Sequence, residues 1–274
     1  AQAFTIAWLS DTQNYHNAYK PIFDGMTQWI ADNREALDIR FVFHTGDVVG
    51  SWSSEDQWRQ ARESMDILSS ASIPFLAACG NHDIGYRMNY ANFLKYVLSL
   101  RPASMSQEYG DTGSRYELFS ANGRDYIFMG IAFSNKGPSE DEVNWINGVL
   151  RQYSSRDAII ITHSYLKKSA SYTTQGKAIF EKIVKANPNV FLVLCGHCRD
   201  ISYKNVQLDD DGDGDPDRTV YAILSNFQGS KAGGGGYMRI LDFRDSDIYI
   251  YTYSPYYDSC EYPKGKTEAT VPLP

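Results

Sequence analysis

Five short motifs in this chain place metal-binding and proton-transfer groups at intervals of a few dozen residues: Asp11, Gly46-Asp47, Gly80-Asn81-His82-Asp83, His163 and Gly196-His197. Together they offer carboxylates, an amide and imidazoles. That donor mixture suits a borderline divalent ion such as Zn, Mn or Fe better than Ca or Mg. A carboxylate can bridge two such ions about 3.5–4 Å apart, and clamps of that kind hydrolyse phosphate esters. Asp, Asn and Gly also favour turns, so a turn alone explains any one of these positions. It does not explain the whole set.

The elements that would carry these groups alternate. Apolar runs over Phe4–Leu9, Arg40–His44 and Ile73–Cys79 read as strands, separated by helical spacing over Lys20–Leu37 and Glu55–Ser70. A helix near Tyr90–Leu100 follows. Tyr116–Ser120 and Arg124–Gly130 flank Asn122-Gly123, the signature of a tight hairpin. Further on come a helix over Glu140–Tyr153, a strand over Ala158–Thr162, a helix over Thr174–Ala186 and a strand over Val190–Cys195. A β-segment over Asp200–Val206 and strands over Val220–Phe227, Tyr237–Phe243 and Ile248–Tyr253 complete the domain, expected to span residues 1–254, with a Pro-rich C-terminal tail over 255–274. Strand–helix repetition argues for an α/β fold with a largely parallel sheet covered on both faces. Asp11, Asp47, Asn81-His82, His163 and His197 each fall just past the C-terminal end of a predicted strand. Parallel sheets build their sites at that edge.

The ordered set resembles the calcineurin-like metallophosphoesterase superfamily, whose motifs run D-x-H, GD, GNH[D/E], H and GHxH. The match extends from Asp11 to His197, and Gly80-Asn81-His82-Asp83 is its most specific piece. The resemblance implies a four-layer α/β sandwich, two packed mixed β-sheets flanked by helices. It implies that Asp11 is a ligand of a first metal, that Asp47 bridges two metals, and that Asn81, His163 and His197 complete the second. It gives His82 the phosphate and the leaving group, and gives Asp83 the task of orienting His82 by accepting a ring N–H. Two positions depart from the pattern. Gln13 stands where the family commonly has His, and Arg199 where the last motif has its second His. Both belong to the first metal. A Gln oxygen is a weaker ligand than imidazole, and Arg does not ligate at all. Three arrangements follow. The first metal binds weakly through Asp11, Gln13 and Asp47; or one ion remains, with Arg199 supplying positive charge; or the site binds phosphate without hydrolysing it. The implied activity is metal-dependent hydrolysis of a phosphomonoester or phosphodiester using one or two divalent ions (Mn, Fe or Zn). The alternative is a non-catalytic phosphate-binding module.

Composition sets bounds. The chain has 274 residues, 43% hydrophobic and 22% charged, enough for one large domain without disulfides. A net charge of -7 argues against a nucleic-acid footprint built on bulk charge. No apolar run reaches the roughly 18 residues of a membrane span. The expected partner is a small phosphorylated substrate met by a monomer. Abundant Tyr and sparse Cys, with a start at Ala1-Gln2-Ala3, lean toward a secreted or otherwise extracytoplasmic protein, cytoplasmic being the alternative.

Other groups are weighed against plainer roles. His44 reads as a buried histidine behind the site and His16 as a loop histidine. Asn14, Tyr15 and Tyr86 are candidates for lining a substrate pocket, and Asn226 and Gln228 end a late strand. Cys195-Gly196-His197-Cys198 has dithiol spacing, but a redox thiol needs a helix N-terminus and a β-segment is expected there. Asp209–Asp215 resembles a loop for a structural Ca, with Asp209, Asp211 and Asp213 at alternate positions. The Glu such a loop wants is Val220, which favours an acidic surface turn.

Overall fold

The computed structural model describes residues 3–85, 88–100 and 106–274. Tyr86 therefore lies outside the described residues.

Two mixed sheets form the centre. The first contains β1 (Phe4–Leu9), β2 (Ile39–His44), β3 (Phe75–Ala77), β11 (Met238–Phe243), β12 (Asp247–Tyr253) and β13 (Ala269–Pro272), in the order β13-β12-β11-β1-β2-β3. β1, β2 and β3 are parallel, and the remaining pairings are antiparallel. The second contains β4 (Ser106–Tyr109), β5 (Ser114–Ala121), β6 (Arg124–Ile131), β7 (Asp157–Thr162), β8 (Val190–Cys195), β9 (Asp200–Leu208) and β10 (Arg218–Asn226). Its order is β4-β5-β6-β7-β8-β10-β9, with β6, β7, β8 and β10 parallel.

Side-chain alternation builds the layers. Phe4, Ile6 and Trp8 of β1 meet Phe128, Ile159, Leu194 and Ile223 between the sheets. Ala7 and Leu9 face the other way, onto α1 (Lys20–Asp32) and α2 (Glu55–Ser70), through Phe23, Met26, Trp58 and Met65. Two short helices, α3 (Asn81–Ile84) and α4 (Ala91–Tyr96), follow β3 and add Ile84 and Phe93 to the same layer. The outer face of the second sheet is covered by α5 (Glu140–Gln152) and α6 (Thr174–Ile179) through Val143, Ile146 and Ile179. Central strands buried on both faces need apolar residues at every position, which is why β7 and β8 read as unbroken apolar runs. The result is the four-layer α/β sandwich that the resemblance implies.

Helix starts follow local chemistry. Ser54, Ser139 and Thr173 each accept a backbone N–H from the first turn of α2, α5 and α6, the usual side-chain cap. Asn122 and Gly123 both have positive φ, 55° and 77°, as the hairpin turn requires.

Several boundaries differ from expectation. β3 keeps only Phe75–Ala77, because it pairs on one side only, with β2. α1 ends at Asp32, where Asn33 caps it and the chain turns toward β2. The predicted helix over Thr174–Ala186 is α6 followed by a π-helical turn, Phe180–Val184. Residues 269–272, within the expected tail, pair antiparallel with β12 as an edge strand. Among the described residues no helix is long and apolar enough to cross a membrane.

Candidate metal centre

The two sheets bring their parallel strand ends to one edge, and the candidate ligand residues sit there. Asp11 follows β1, Asp47 follows β2, Asn81 opens α3 after β3, His163 follows β7, and His197 follows β8. Asp11, Asp47 and His197 all have positive φ, 51°, 54° and 69°. Each such conformation costs about 1 kcal/mol or more in a non-glycine residue. The surrounding bonds hold them there. Asp11 N–H donates to Gly46 O at 3.1 Å, and Asn226 Nδ2 donates to the carbonyl of His197 at 3.0 Å. Asn226 is thus a positioning residue for His197, a role its place at a strand end hints at and does not specify.

Four lone-pair groups converge. His163 Nδ1–H donates to Thr45 O at 2.8 Å, which in the neutral ring fixes the tautomer and gives Nε2 the lone pair. That Nε2 faces Asn81 Oδ1 at 3.1 Å, His197 Nδ1 at 3.2 Å and Asp47 Oδ2 at 3.3 Å. Such a gathering calls for positive charge among the groups, supplied by a metal ion or, without one, by a proton on His163. Ligands about 2.0–2.1 Å from a tetrahedral ion are about 3.3 Å from one another, so the spacing fits a divalent ion of Zn or Mn size. Among the described residues Asp47, His163 and His197 form one compact candidate set, with ligand atoms all within 4.8 Å of one another.

Electrostatics give the same answer. Burial disfavours a charged His163, but Asp47 and Asp11 outweigh it and push the ring up to about 9. The carboxylates thus favour positive charge at the point where the four groups meet. Burial, and then the His163 charge, hold His197 down to about 4. Burial raises Asp11.

The half of the site that departs from the family pattern is built differently. Both Asp11 oxygens accept from His197 N–H, at 3.2 and 3.3 Å, and Oδ2 also accepts from Ser10 Oγ. Gln13 Nε2 donates to Asp47 Oδ2 at 3.2 Å, while its Oε1 is buried without a partner. Arg199 is exposed in the cavity that Gln13, Asp47 and His197 line, and among the described residues it has no ion-pair partner.

Asp83 does not act on His82 as expected. It is fully buried. Its Oδ1 accepts from Val48 N–H at 2.8 Å and Val49 N–H at 3.1 Å, and its Oδ2 from Gly80 N–H at 2.7 Å. It ties the loop after Asp47 to the turn before Asn81. The ring of His82 is oriented instead by Gly50, whose carbonyl accepts from Nδ1–H at 2.9 Å. No sequence signal separates these two arrangements, because backbone partners leave no mark on residue type.

The remaining candidates sort as follows. His44 is fully buried; Gly46 N–H donates to its Nδ1 at 3.1 Å, and its Nε2 meets Thr12 Oγ1 at 2.9 Å. It supports the loop before Asp47 and is not among the converging ligands. His16 pairs with Asn17 on the surface. Asn14 and Gln228 line the cavity beside Arg199. Tyr15 does not line it: it is buried, and its hydroxyl accepts from Gly236 N–H at 2.9 Å. Cys195 is buried and Cys198 half-buried, both are free thiols, and β9 rather than a helix follows. In the acidic loop Asp209, Asp211 and Asp217 come together, not the expected Asp213, and Asp209 accepts from Gly214 N–H at 2.9 Å. The loop is a solvent-exposed turn between β9 and β10.

One prediction arises from His44. Burial, and then the charge of His163, hold its pKa down to about 3, against about 6.5 unfolded. Between those values the unfolded chain binds one more proton, so stability falls as pH drops from 6.5 toward 3. His44→Gln keeps hydrogen-bonding groups and removes the titration. The slope of unfolding free energy against pH, measured by urea denaturation over about pH 4 to 6, is expected to flatten by about 1.4 kcal/mol per pH unit. An unchanged slope would refute the assignment.

Comparisons with known proteins point one way. A family model described as calcineurin-like phosphoesterase matches residues 4–198. The uncharacterized protein YvnB of Bacillus subtilis (strain 168) is 41% identical over 259 residues, which is 92% of this chain and 20% of that protein. The chain therefore spans about a fifth of that relative's length. Among solved structures, GAP50 of Plasmodium superposes with a TM-score of 0.63 at 14% identity, covering 100% of this chain and 90% of that one. Purple acid phosphatase PPD1 from yellow lupin seeds superposes with a TM-score of 0.63 at 14% identity, covering 99% and 54%. At these identities the structural likeness speaks for the fold.

Proposed function

Because the chain belongs to the calcineurin-like phosphoesterase family, we propose that it hydrolyses a phosphoester at a centre built around one tightly held divalent ion, with Arg199 beside it. The observation that carries this reading is the meeting of Asn81 Oδ1, His197 Nδ1 and Asp47 Oδ2 around His163 Nε2 within 3.3 Å. Asp47, Asn81, His163 and His197 would hold the ion. When bound, such an ion supplies positive charge against phosphoryl oxygens and lowers the pKa of water toward neutrality.

The chain's own groups do the rest. Arg199 lines the cavity that Gln13, Asp47 and His197 also line and would offer a fixed, planar set of donors to a phosphoryl oxygen. His82 is exposed to the same cavity. With Nδ1–H committed to Gly50 O, its Nε2 is the nitrogen free to deliver a proton to the leaving oxygen. As the P–O bond to that oxygen breaks, one to a water oxygen forms. Asp83 acts at a distance, fixing the backbone of residues 48, 49 and 80 so that Asp47 and Asn81 keep their register.

The test combines metal content with turnover. The protein loaded with Mn or Zn is expected to bind close to one ion per chain and to cleave an aryl phosphoester. His82→Ala should lower kcat by about 10²–10⁴-fold without lowering metal content. Arg199→Ala should lower turnover and also leave metal content unchanged. The double change Gln13→His with Arg199→His should raise the number of bound ions; no increase would count against placing the departure from the family pattern there. Metal uptake with no turnover of any ester, indifferent to His82→Ala, would make the chain a phosphate-binding module instead.

A further inference from the structure

The metal centre lies where two cavities of different chemistry meet. Gly50, Asn81, His82 and His197 line both. One, of about 590 Å³, continues past Trp52, Phe133 and Asn135. The other, of about 270 Å³, continues past Asn14, Arg199 and Gln228.

The aromatic side is firmly built. The carbonyl of Trp52 accepts from Trp58 Nε1–H at 2.7 Å and Asn92 Nδ2–H at 2.9 Å, and its indole lies against Gly85, where a Cβ would overlap the ring. The indole itself is half-exposed. Phe133 packs its ring 5.8 Å from that of His163 and 5.9 Å from that of His197. Phe133, only 8% exposed, thus lines the cavity next to the candidate ligands, and the half-exposed Trp52 carries the apolar lining onward.

We infer that the substrate is a phosphodiester, with one substituent against Trp52 and Phe133 and the other, more polar, against Arg199 and Gln228. This rests on the hydrolytic reading above. Two features support it. The first is shape: a monoester carries one substituent and leaves one arm filled only with water, whereas a diester fills both. The second is charge. The carboxylates of Asp11 and Asp47 offset a divalent ion, which leaves Arg199 as the uncompensated positive group facing the cavity. A diester carries one negative charge. A monoester, with a second pKa of about 6, carries nearly two at neutral pH. In the reaction water adds to phosphorus, one P–O bond breaks, and the leaving oxygen takes a proton from His82. The products are an alcohol and a monoester; one of the water's protons replaces the one His82 gave up, and the other goes to solvent. The monoester product no longer matches the charge of the site, which favours its release.

The experiment uses the full chain loaded with Mn. Bis(p-nitrophenyl) phosphate is expected to exceed p-nitrophenyl phosphate in kcat/KM by at least about tenfold. Trp52→Ala should raise KM for the diester several-fold and leave kcat nearly unchanged. Independently of turnover, calorimetric titration should show diphenyl phosphate binding at least about tenfold more tightly than phenyl phosphate, a difference of about 1.4 kcal/mol. Efficient turnover with the monoester preferred would overturn the diester inference and leave phosphoester hydrolysis standing. A diester preference indifferent to Trp52→Ala, or equal binding of the two phenyl esters, would overturn the two-arm placement. Turnover of neither ester by protein that has bound its metal would overturn the hydrolytic reading, and this inference with it.

Discussion

Asp47→Asn is expected to remove the metal and the activity together while the fold persists. The substitution preserves volume, and an Asn oxygen can still accept the 2.9 Å bond from His82 N–H. What disappears is the negative charge that lies 3.3 Å from His163 Nε2, on a residue only 2% exposed to solvent. A buried cation without a compensating carboxylate is costly, by several kcal/mol before relaxation. Elemental analysis should therefore show metal falling to near zero, and turnover should drop by at least about 10³-fold, equivalent to about 4 kcal/mol. Added Mn should raise the Tm of the unsubstituted protein, as any ligand of the native state does, and leave the variant's Tm unmoved. The variant retaining both its ion and its turnover would show that the centre lies elsewhere.

The second large effect comes from one methyl group. Gly80 has φ -102° and ψ 179°, an extended conformation open to any residue, so its identity is not a matter of backbone freedom. Its constraint is space. A Cβ there would overlap the carboxylate and the amide of Asp47. Gly80→Ala must displace the ligand that anchors the site, and overpacking of this kind costs about 1–3 kcal/mol. Metal affinity should fall by at least about tenfold, in line with losses seen when a ligand's supporting shell is disturbed. Gly148→Ala is the matched control. That glycine lies within α5, has no positive φ, and leaves open space for 4 Å around the point where a methyl would sit. Ala there should stabilise the protein by about 0.5–1 kcal/mol through helix propensity. The same chemical change thus has opposite signs at two positions. If both were tolerated equally in Tm and metal titration, close packing around Asp47 would not be what holds the site.

Much of this arrangement was legible in the residues. β1, β7 and β8 announce themselves as apolar runs because both faces are buried, and each is followed by a candidate ligand because parallel strands bring their C-terminal ends to one edge. The hairpin at Asn122-Gly123 follows from a conformation few residue pairs adopt. What stayed hidden depends on partners distant in sequence and anonymous in type. The three amides that hold Asp83, the carbonyl that orients His82, and the pairing of Ala269–Pro272 with β12 are all backbone contacts. Trp52 stands only a few residues beyond Asp47, yet the sequence does not reveal that it lines the cavity that Asn81, His82 and His197 also line. Asn226 carried a signal, its place at the end of β10, without indicating that it would brace His197.

The tight glycines have a consequence for traffic. Gly80 and Gly196 press against the carboxylates of Asp47 and Asp11, and a Cβ at Gly46 would lie 2.9 Å from His163 Nδ1. The rear of the centre is thus closed, and His163 is wholly shielded from solvent. Among the described residues it is the Asn81 and His197 side that opens, onto the two cavities proposed to receive the ester. On the proposed reading, ion and substrate would share one doorway, and the metal is expected to enter first. A bound ester acts as a stopper, so chelators should strip the ion slowly while the cavities are full and quickly when they are empty.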